Sequence, residues 1–307
     1  MHPLPIPATG GDIRVLRDLI NVGNDANWIL CLSWLLAALR PKGPYPILLL
    51  QGEQGTAKST MARLLRRIVD PSAAPVRTPP RNDRDLLIAA VNSWVLAYDN
   101  LSGIPHWLSD ALCRLATGGG FSTRELYTDS DEVIFDAMRP VILNGIDQLA
   151  ERADLADRAL ILQLPRIGTQ ERKDEQQLYS QFERELPIIL GALYSAVGTA
   201  LARVNQVSLP EKPRMADFAV WAAAGSPAFD LLPRTFLDAY CGNRTEAVQE
   251  TLDGDAVASA IFGLLERIEN GSHQWEGTCK LLLRDLEEIA DEGSKKSPGW
   301  PKTPRAL

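Results

Sequence analysis

The stretch Leu48–Thr60, LLLQGEQGTAKST, constrains this chain more than any other part of it. An aliphatic run leads into a turn with two glycines, and a lysine, a serine and a threonine follow. This is the layout of G-x-x-x-x-G-K-[ST], in which a buried strand enters a glycine-rich turn and a helix starts at the lysine. Gly52 opens the pattern and Lys58 and Ser59 close it, but Ala57 stands where the second glycine is expected and Gly55 comes early. Ala57 is expected to keep helical backbone angles and Gly55 to take the left-handed position, which glycine adopts at no steric cost. The backbone N–H groups of Gly52, Glu53, Gln54, Gly55, Thr56 and Ala57, and of a first turn through Lys58, Ser59 and Thr60, then face an anion. Lys58 is the expected partner of the β- and γ-phosphates of a nucleotide such as ATP, and the Ser59 hydroxyl a ligand of Mg2+.

The chain around this loop reads as α/β. Continuous apolar runs at Ile47–Leu50, Trp94–Tyr98, Val141–Leu143 and Ala159–Leu164 predict strands buried on both faces of a parallel sheet. Met61, Leu64, Leu65 and Ile68 keep the i, i+3, i+4, i+7 spacing of a helix, and Asp85–Val91 and Trp107–Leu115 read similarly. Upstream, Asn24 or Asp25 caps a helix whose body, Trp28–Leu39, is apolar all round and ends at Pro41, so it belongs in a core. Residues 118–136 alternate on either side of a polar TDSD and predict a β-hairpin projecting from the α/β part. After Pro165 the pattern is helical to about residue 250, with breaks expected near Pro187, Pro210, Pro213 and Pro227. Two amphipathic helices and a basic tail with Lys295, Lys296, Lys302 and Arg305 follow. The organisation expected is a helical lead-in over 1–45, an ATPase core over 46–165, a helical lid over 166–250 and a last segment over 251–307.

Several strand ends carry polar groups where a phosphate loop needs them. Asp99 lies 41 residues after Lys58 at the end of an apolar strand, expected next to the first, and is placed to hold the magnesium shell. Asn100 follows it; an amide orients water but cannot take its proton. Asn144 ends another buried strand and suits contact with the γ-phosphate or the attacking water. Arg158, with Arg152 in reserve, precedes the last strand and either reaches a nucleotide across a subunit boundary or pairs within the chain with Asp154 or Asp157. Arg214, at a helix start, either folds over the nucleotide or is solvated.

Other classes are excluded. Cys31, Cys113, Cys241 and Cys279 form no C-x-x-C pair and the three histidines never join them, so neither a zinc site nor a disulfide frame is expected. That usage fits a reducing cytoplasm. The longest apolar run has twelve residues, short of the roughly 18 a membrane span needs. The N-terminus shows no signal-peptide pattern. A net charge of −7 argues against coating nucleic acid with the whole surface, though not against a local basic channel.

Taken in order, GEQGTAKS, VLAYDN, ATGGGFSTRELYTDSDE, RPVILNG and RADLADRALILQLP resemble the AAA+ P-loop ATPase module of superfamily 3-type, poxvirus-like and phage primase-helicases. The alanine before the lysine is also similar to the loop of minichromosome-maintenance helicases. The resemblance covers about residues 45–165, and more loosely the helical stretch with PRMADF. It implies a ring, hexameric in this family, with ATP and Mg2+ between subunits. Lys58, Ser59 and Asp99 would serve one subunit's nucleotide and Arg158 the neighbour's, with the hairpin facing a central channel that holds single-stranded or forked DNA. The end of the chain is similar to the start of a winged-helix DNA-binding domain, cut short. Two departures stand out: Asn100 occupies the position of the usual acid, and the hairpin sets only Arg124 against Glu125, Asp129, Asp131 and Glu132. The expected function is an ATP-hydrolysing motor, a DNA helicase or DNA-dependent ATPase of a phage or mobile element. An ATP-gated oligomerisation switch with slow hydrolysis is the alternative, and a small-molecule kinase fits the constellation less well.

Overall fold

The computed structural model describes residues 3–119, 121–124, 132–135, 138–146, 149–150, 152–209, 211–268, 274–297 and 299–307. Two compact units emerge, Met1–Arg244 and Thr245–Leu307. The first runs through α1 (Arg14–Arg17), α2 (Asp25–Ala38), β1 (Ile47–Gln51), α3 (Lys58–Val69), α4 (Asp83–Asn92), β2 (Leu96–Leu101) and α5 (His106–Thr117). It continues through β3 (Phe121–Arg124), β4 (Glu132–Phe135), β5 (Val141–Gly145), α6 (Ala153–Ala156), β6 (Ala159–Gln163), α7 (Glu175–Arg203) and α8 (Ala216–Gly225). The division falls within α9 (Pro233–Gly254), and α10 (Ala256–Arg267), α11 (Cys279–Ile289) and α12 (Glu292–Lys295) follow.

The four apolar runs form one parallel sheet in the order β2-β5-β1-β6. Leu48 and Leu50 of β1, Ala97 of β2, Ile142 of β5 and Leu160 and Leu162 of β6 share a core with side chains of α2, α3, α7 and α8. The alternate residues Ile47, Leu49, Leu96, Val141 and Leu143 are equally buried, so the sheet is covered on both faces, as parallel strands require. The order corrects one expectation. The Asp99 strand is not the neighbour of β1, because β5 lies between them. Apolar runs announce strands but carry no information on which pairs with which. Beyond β2, a single bridge at Arg77 extends the sheet by one residue.

At the opposite edge, α9 covers β6 with an amide in place of a strand. The buried side chain of Asn243 accepts from the Ile161 N–H at 3.0 Å and donates to the Ile161 carbonyl at 2.6 Å. One residue thereby satisfies both backbone groups that a strand edge leaves open.

α2 is capped by Asn24, whose side chain accepts from the Asn27 N–H, and every residue from Asn27 to Ala38 is buried. The break expected at Pro187 does not occur: α7 runs through it. The segment before α1 lies against this part of α7, with the Ala8 N–H donating to the Pro187 carbonyl at 2.8 Å. The approach is possible because each side of the contact carries a glycine. A Cβ on Gly191 would sit 1.8 Å from the Ala8 carbonyl oxygen, and one on Gly11 would sit 2.0 Å from that of Ile188. By length and composition α7 passes for a membrane span. Its Phe182, Leu186, Ile189, Leu190 and Leu193 are instead in the core, which accounts for the apolar content.

β3 and β4 pair antiparallel from Phe121↔Phe135 to Arg124↔Glu132, forming the hairpin expected in this stretch. Its acidic tip, Glu125–Asp131, lies outside the described residues. In the second unit, Ala260, Leu286 and Trp300 form a small core between α10 and α11, and among the described residues this unit is helical.

Candidate functional site

The phosphate loop joins β1 to α3 with a backbone that only part of its sequence explains. Gly52 has φ +147°, and a Cβ there would approach the Leu164 carbonyl oxygen to 2.6 Å, so a side chain is excluded twice. Gly55 takes the left-handed position as expected, with φ +88°. Ala57 corrects the expectation of helical angles: it is left-handed, at φ 61° and ψ 29°. The chain must reverse into α3 at this residue, and the reversal needs a positive φ whichever side chain is present. Alanine therefore carries strain that the usual glycine avoids.

Contacts the sequence did not announce hold the loop. The Asn21 side-chain amide donates to the Thr56 carbonyl at 3.1 Å and the Pro165 carbonyl at 2.7 Å. The Ile167 N–H donates to the Gly55 carbonyl at 3.2 Å, and the buried Thr56 hydroxyl donates to the Glu53 carbonyl at 3.0 Å. Asn21 lies 35 residues before Thr56, and no pattern in the chain links the two. Glu53 and Gln54 are exposed at the tip.

Lys58 opens α3, and its ammonium donates to the Gly52 carbonyl at 2.6 Å, the Glu53 carbonyl at 2.8 Å and the Thr56 hydroxyl at 3.3 Å. Burial lowers its pKa from the ordinary lysine value, and the Asp99 carboxylate opposes that shift. One residue on, the Ser59 hydroxyl donates to Asp99 Oδ1 at 2.8 Å. Asp99 and Asn144 stand at corresponding ends of β2 and β5, because parallel strands present their C-terminal ends along one edge. Asn144 is 1% exposed and its Oδ1 accepts from the Asn100 N–H at 2.8 Å. Asn100 itself is exposed, with φ +57°. The structure thus gathers Lys58, Ser59, Asp99, Asn100 and Asn144 at one edge of the sheet.

Among the described residues no group of three or more His, Cys, Asp or Glu side chains surrounds a common point. The Ser59–Asp99 pair nonetheless suits Mg2+: it offers two hard oxygen ligands in contact, and this cation takes its remaining ligands from water and phosphate. Beside the loop lies a cavity of about 620 Å³ lined by Ile20, Asn21, Ala57, Thr60, Met61 and Ile167, among others. Thr60 thus faces the cavity rather than the Lys58 contacts.

The arginines gather elsewhere. Arg158 donates to the Asp154 carbonyl at 2.8 Å and to the Asp154 carboxylate. Arg214 donates to the same carboxylate at 2.8 Å and pairs with Asp157 at 3.5 Å, while Arg244 donates to Asp157 at 2.9 Å. Arg152 pairs with Asp110. The Asp154 pKa is lowered, chiefly by the hydrogen bond from Arg158. Burial raises the pKa of Cys113, whose thiol donates to the Asp154 carbonyl, to about 11. Arg214 therefore sits with Arg158 and is not among the residues lining the cavity beside the loop.

These features define an α/β protein with a phosphate-loop arrangement on the C-terminal edge of a parallel sheet. More narrowly, the chain belongs to the actinomycete integrative conjugative element replication proteins. That family's model matches residues 13–243, and the model of the family's RepA C-terminal domain matches residues 257–307. No curated protein sequence matches the chain. Among solved structures, the apo C-terminal region of NrS-1 is similar at 13% identity and TM-score 0.50, over 94% of this chain and 70% of that one. A second form of the NrS-1 region matches at 15% identity and TM-score 0.47, over 63% and 48%. The SCCmec type IV Cch protein, described as an active helicase, matches at 14% identity and TM-score 0.46, over 91% and 58%. The chain spans about half the length of these last two structures. At 13% identity the likeness to the first of these structures is one of fold alone.

Proposed function

We propose that this replication protein is an ATP-hydrolysing AAA+ motor of a mobile element, acting as a DNA helicase or DNA-dependent ATPase from a ring, hexameric by resemblance. The observation that carries the reading is the Ser59–Asp99 contact at 2.8 Å beside Lys58, with Asn144 on the strand between. The Lys58 ammonium, now on loop carbonyls, would meet the β- and γ-phosphates, and the amides of residues 52–60 would hold them. Ser59 and Asp99 would hold Mg2+, which when bound neutralises phosphate charge. Asn144 would donate toward the terminal phosphate or the attacking water. The cavity lined by Ile20, Asn21 and Ile167 would take the base and sugar. Arg158 would serve the neighbouring subunit's nucleotide, with Arg152 and Arg214 at the same boundary.

ATP hydrolysis measured with and without single-stranded DNA tests this. DNA is expected to raise the rate, and Lys58→Ala to abolish it; hydrolysis indifferent to any nucleic acid would sink the motor reading. The arginine cluster favours a second reading. With Arg158 and Arg214 both on Asp154, turnover would await assembly, as in an ATP-gated switch. That reading expects nucleotide-dependent oligomerisation with very slow hydrolysis.

A further inference from the structure

β2 and β5 change register at the nucleotide edge. Tyr98 is opposite Leu143 and Leu101 is opposite Gly145, so β2 spends one more residue than β5 between these pairs. The extra length is taken up at Asp99–Asn100, a β-bulge in which Asn100 is left-handed at φ +57°. Its N–H is turned out of the ladder and donates to the Asn144 side chain at 2.8 Å. A backbone N–H is always a donor, so the atom facing it must be the amide oxygen, and this fixes which way the Asn144 amide points. Its Nδ2 is then the free end: buried, two hydrogens to give, and without a hydrogen-bond partner among the described residues. A buried donor in that state calls for an acceptor, and a water or a phosphate oxygen at this edge of the sheet can supply one.

We infer that Asn100 is a positioning residue that acts through its backbone: its left-handed bulge locks Asn144 as a pure donor toward the terminal phosphate. The inference rests on the ATPase reading for the identity of that acceptor. Glycine, asparagine and aspartate are the residues most at ease in the left-handed region, and β-branched side chains are the least. The side chain of Asn100 contributes nothing to the chemistry, and glycine replaces it.

The test compares Asn100→Gly, Asn100→Ala and Asn100→Val with the wild-type chain. Three quantities are read: Tm without nucleotide, the affinity ratio for a non-hydrolysable ATP analogue over ADP, and kcat against KM. Asn100→Gly is expected to keep all three within about twofold in the ratios. Asn100→Val is expected to lower Tm by roughly 2–4 °C. Well below its Tm, it should also lose the preference for triphosphate and lower kcat on the order of tenfold to a hundredfold, with KM little changed. Asn100→Ala should fall between, and Asn144→Ala should lose the triphosphate preference without a left-handed requirement at 100. A glycine variant as damaged as the valine variant would overturn the inference, because the side chain would then be what matters. A valine variant indistinguishable from wild type would also overturn it. If wild-type protein binds no nucleotide, the ATPase reading falls. The Tm order alone then decides whether Asn100 acts through its backbone: glycine highest and valine lowest supports it, and no order overturns it.

Discussion

A single alanine shows how far a motif reaches. The spacing of Gly52, Lys58 and Ser59 announced strand, turn and helix, and each stands where the spacing put it. What spacing does not encode is φ, and at Ala57 the backbone is left-handed where helical angles were expected. A left-handed alanine costs about 1–2 kcal/mol, part of which glycine would return through the entropy it loses on folding. Ala57→Gly is therefore expected to raise the stability of the ligand-free chain by up to about 1 kcal/mol, a gain of roughly 2–4 °C in Tm for a unit of this size. Thermal unfolding checks it, and an unchanged or lowered Tm would mean that the loop carries no strain at this residue. The same limit explains Asn21. Its hold on Thr56 and Pro165 joins three stretches distant in sequence, and one chain read without its fold gives no reason to single it out.

At the scale of elements, type was legible and arrangement was not. Apolar runs identified β1, β2, β5 and β6 because a doubly covered strand has no polar face to hide. Their order was not visible, since β5 and β6 both flank β1 and only packing decides it. α7 shows the opposite failure. Pro187 is a breaker by propensity, yet the helix continues because tertiary contact outweighs one lost hydrogen bond. That contact rests on a backbone approach at Gly191. Gly191→Ala would place a methyl 1.8 Å from the Ala8 carbonyl oxygen and 3.0 Å from its carbon, both backbone atoms with little freedom to yield. A loss of about 2–3 kcal/mol is expected. Gly198 lies in the same helix, and a methyl added there would meet no atom within 4 Å, so Gly198→Ala should gain about 1 kcal/mol from helix propensity. Urea denaturation of the two variants separates packing from propensity; equal shifts of the midpoint would deny the close approach.

For the molecule as a whole, the question is whether charge paired within one chain is available to a second copy. The net charge of −7 conceals a local arrangement in which, among the described residues, Arg158, Arg214 and Arg244 form their ion pairs with Asp154 and Asp157. Three guanidinium groups thus share two carboxylates. Arg158 is 13% exposed and tied within its own chain, so it serves a neighbour's nucleotide only if assembly draws it from Asp154. Mixing distinguishes this from a purely structural ion pair. Lys58→Ala subunits retain Arg158, and Arg158→Ala subunits retain Lys58. Each should be inactive alone at a concentration where wild-type protein hydrolyses ATP. In a ring that shares its sites, a mixture contains boundaries with an intact lysine on one side and an intact arginine on the other, and a quarter or so of the wild-type rate should return if subunits mix at random and boundaries act independently. If Arg158→Ala stays active, or if it merely unfolds earlier and mixing restores nothing, Arg158 belongs to the fold of its own chain and completes no site in a neighbour.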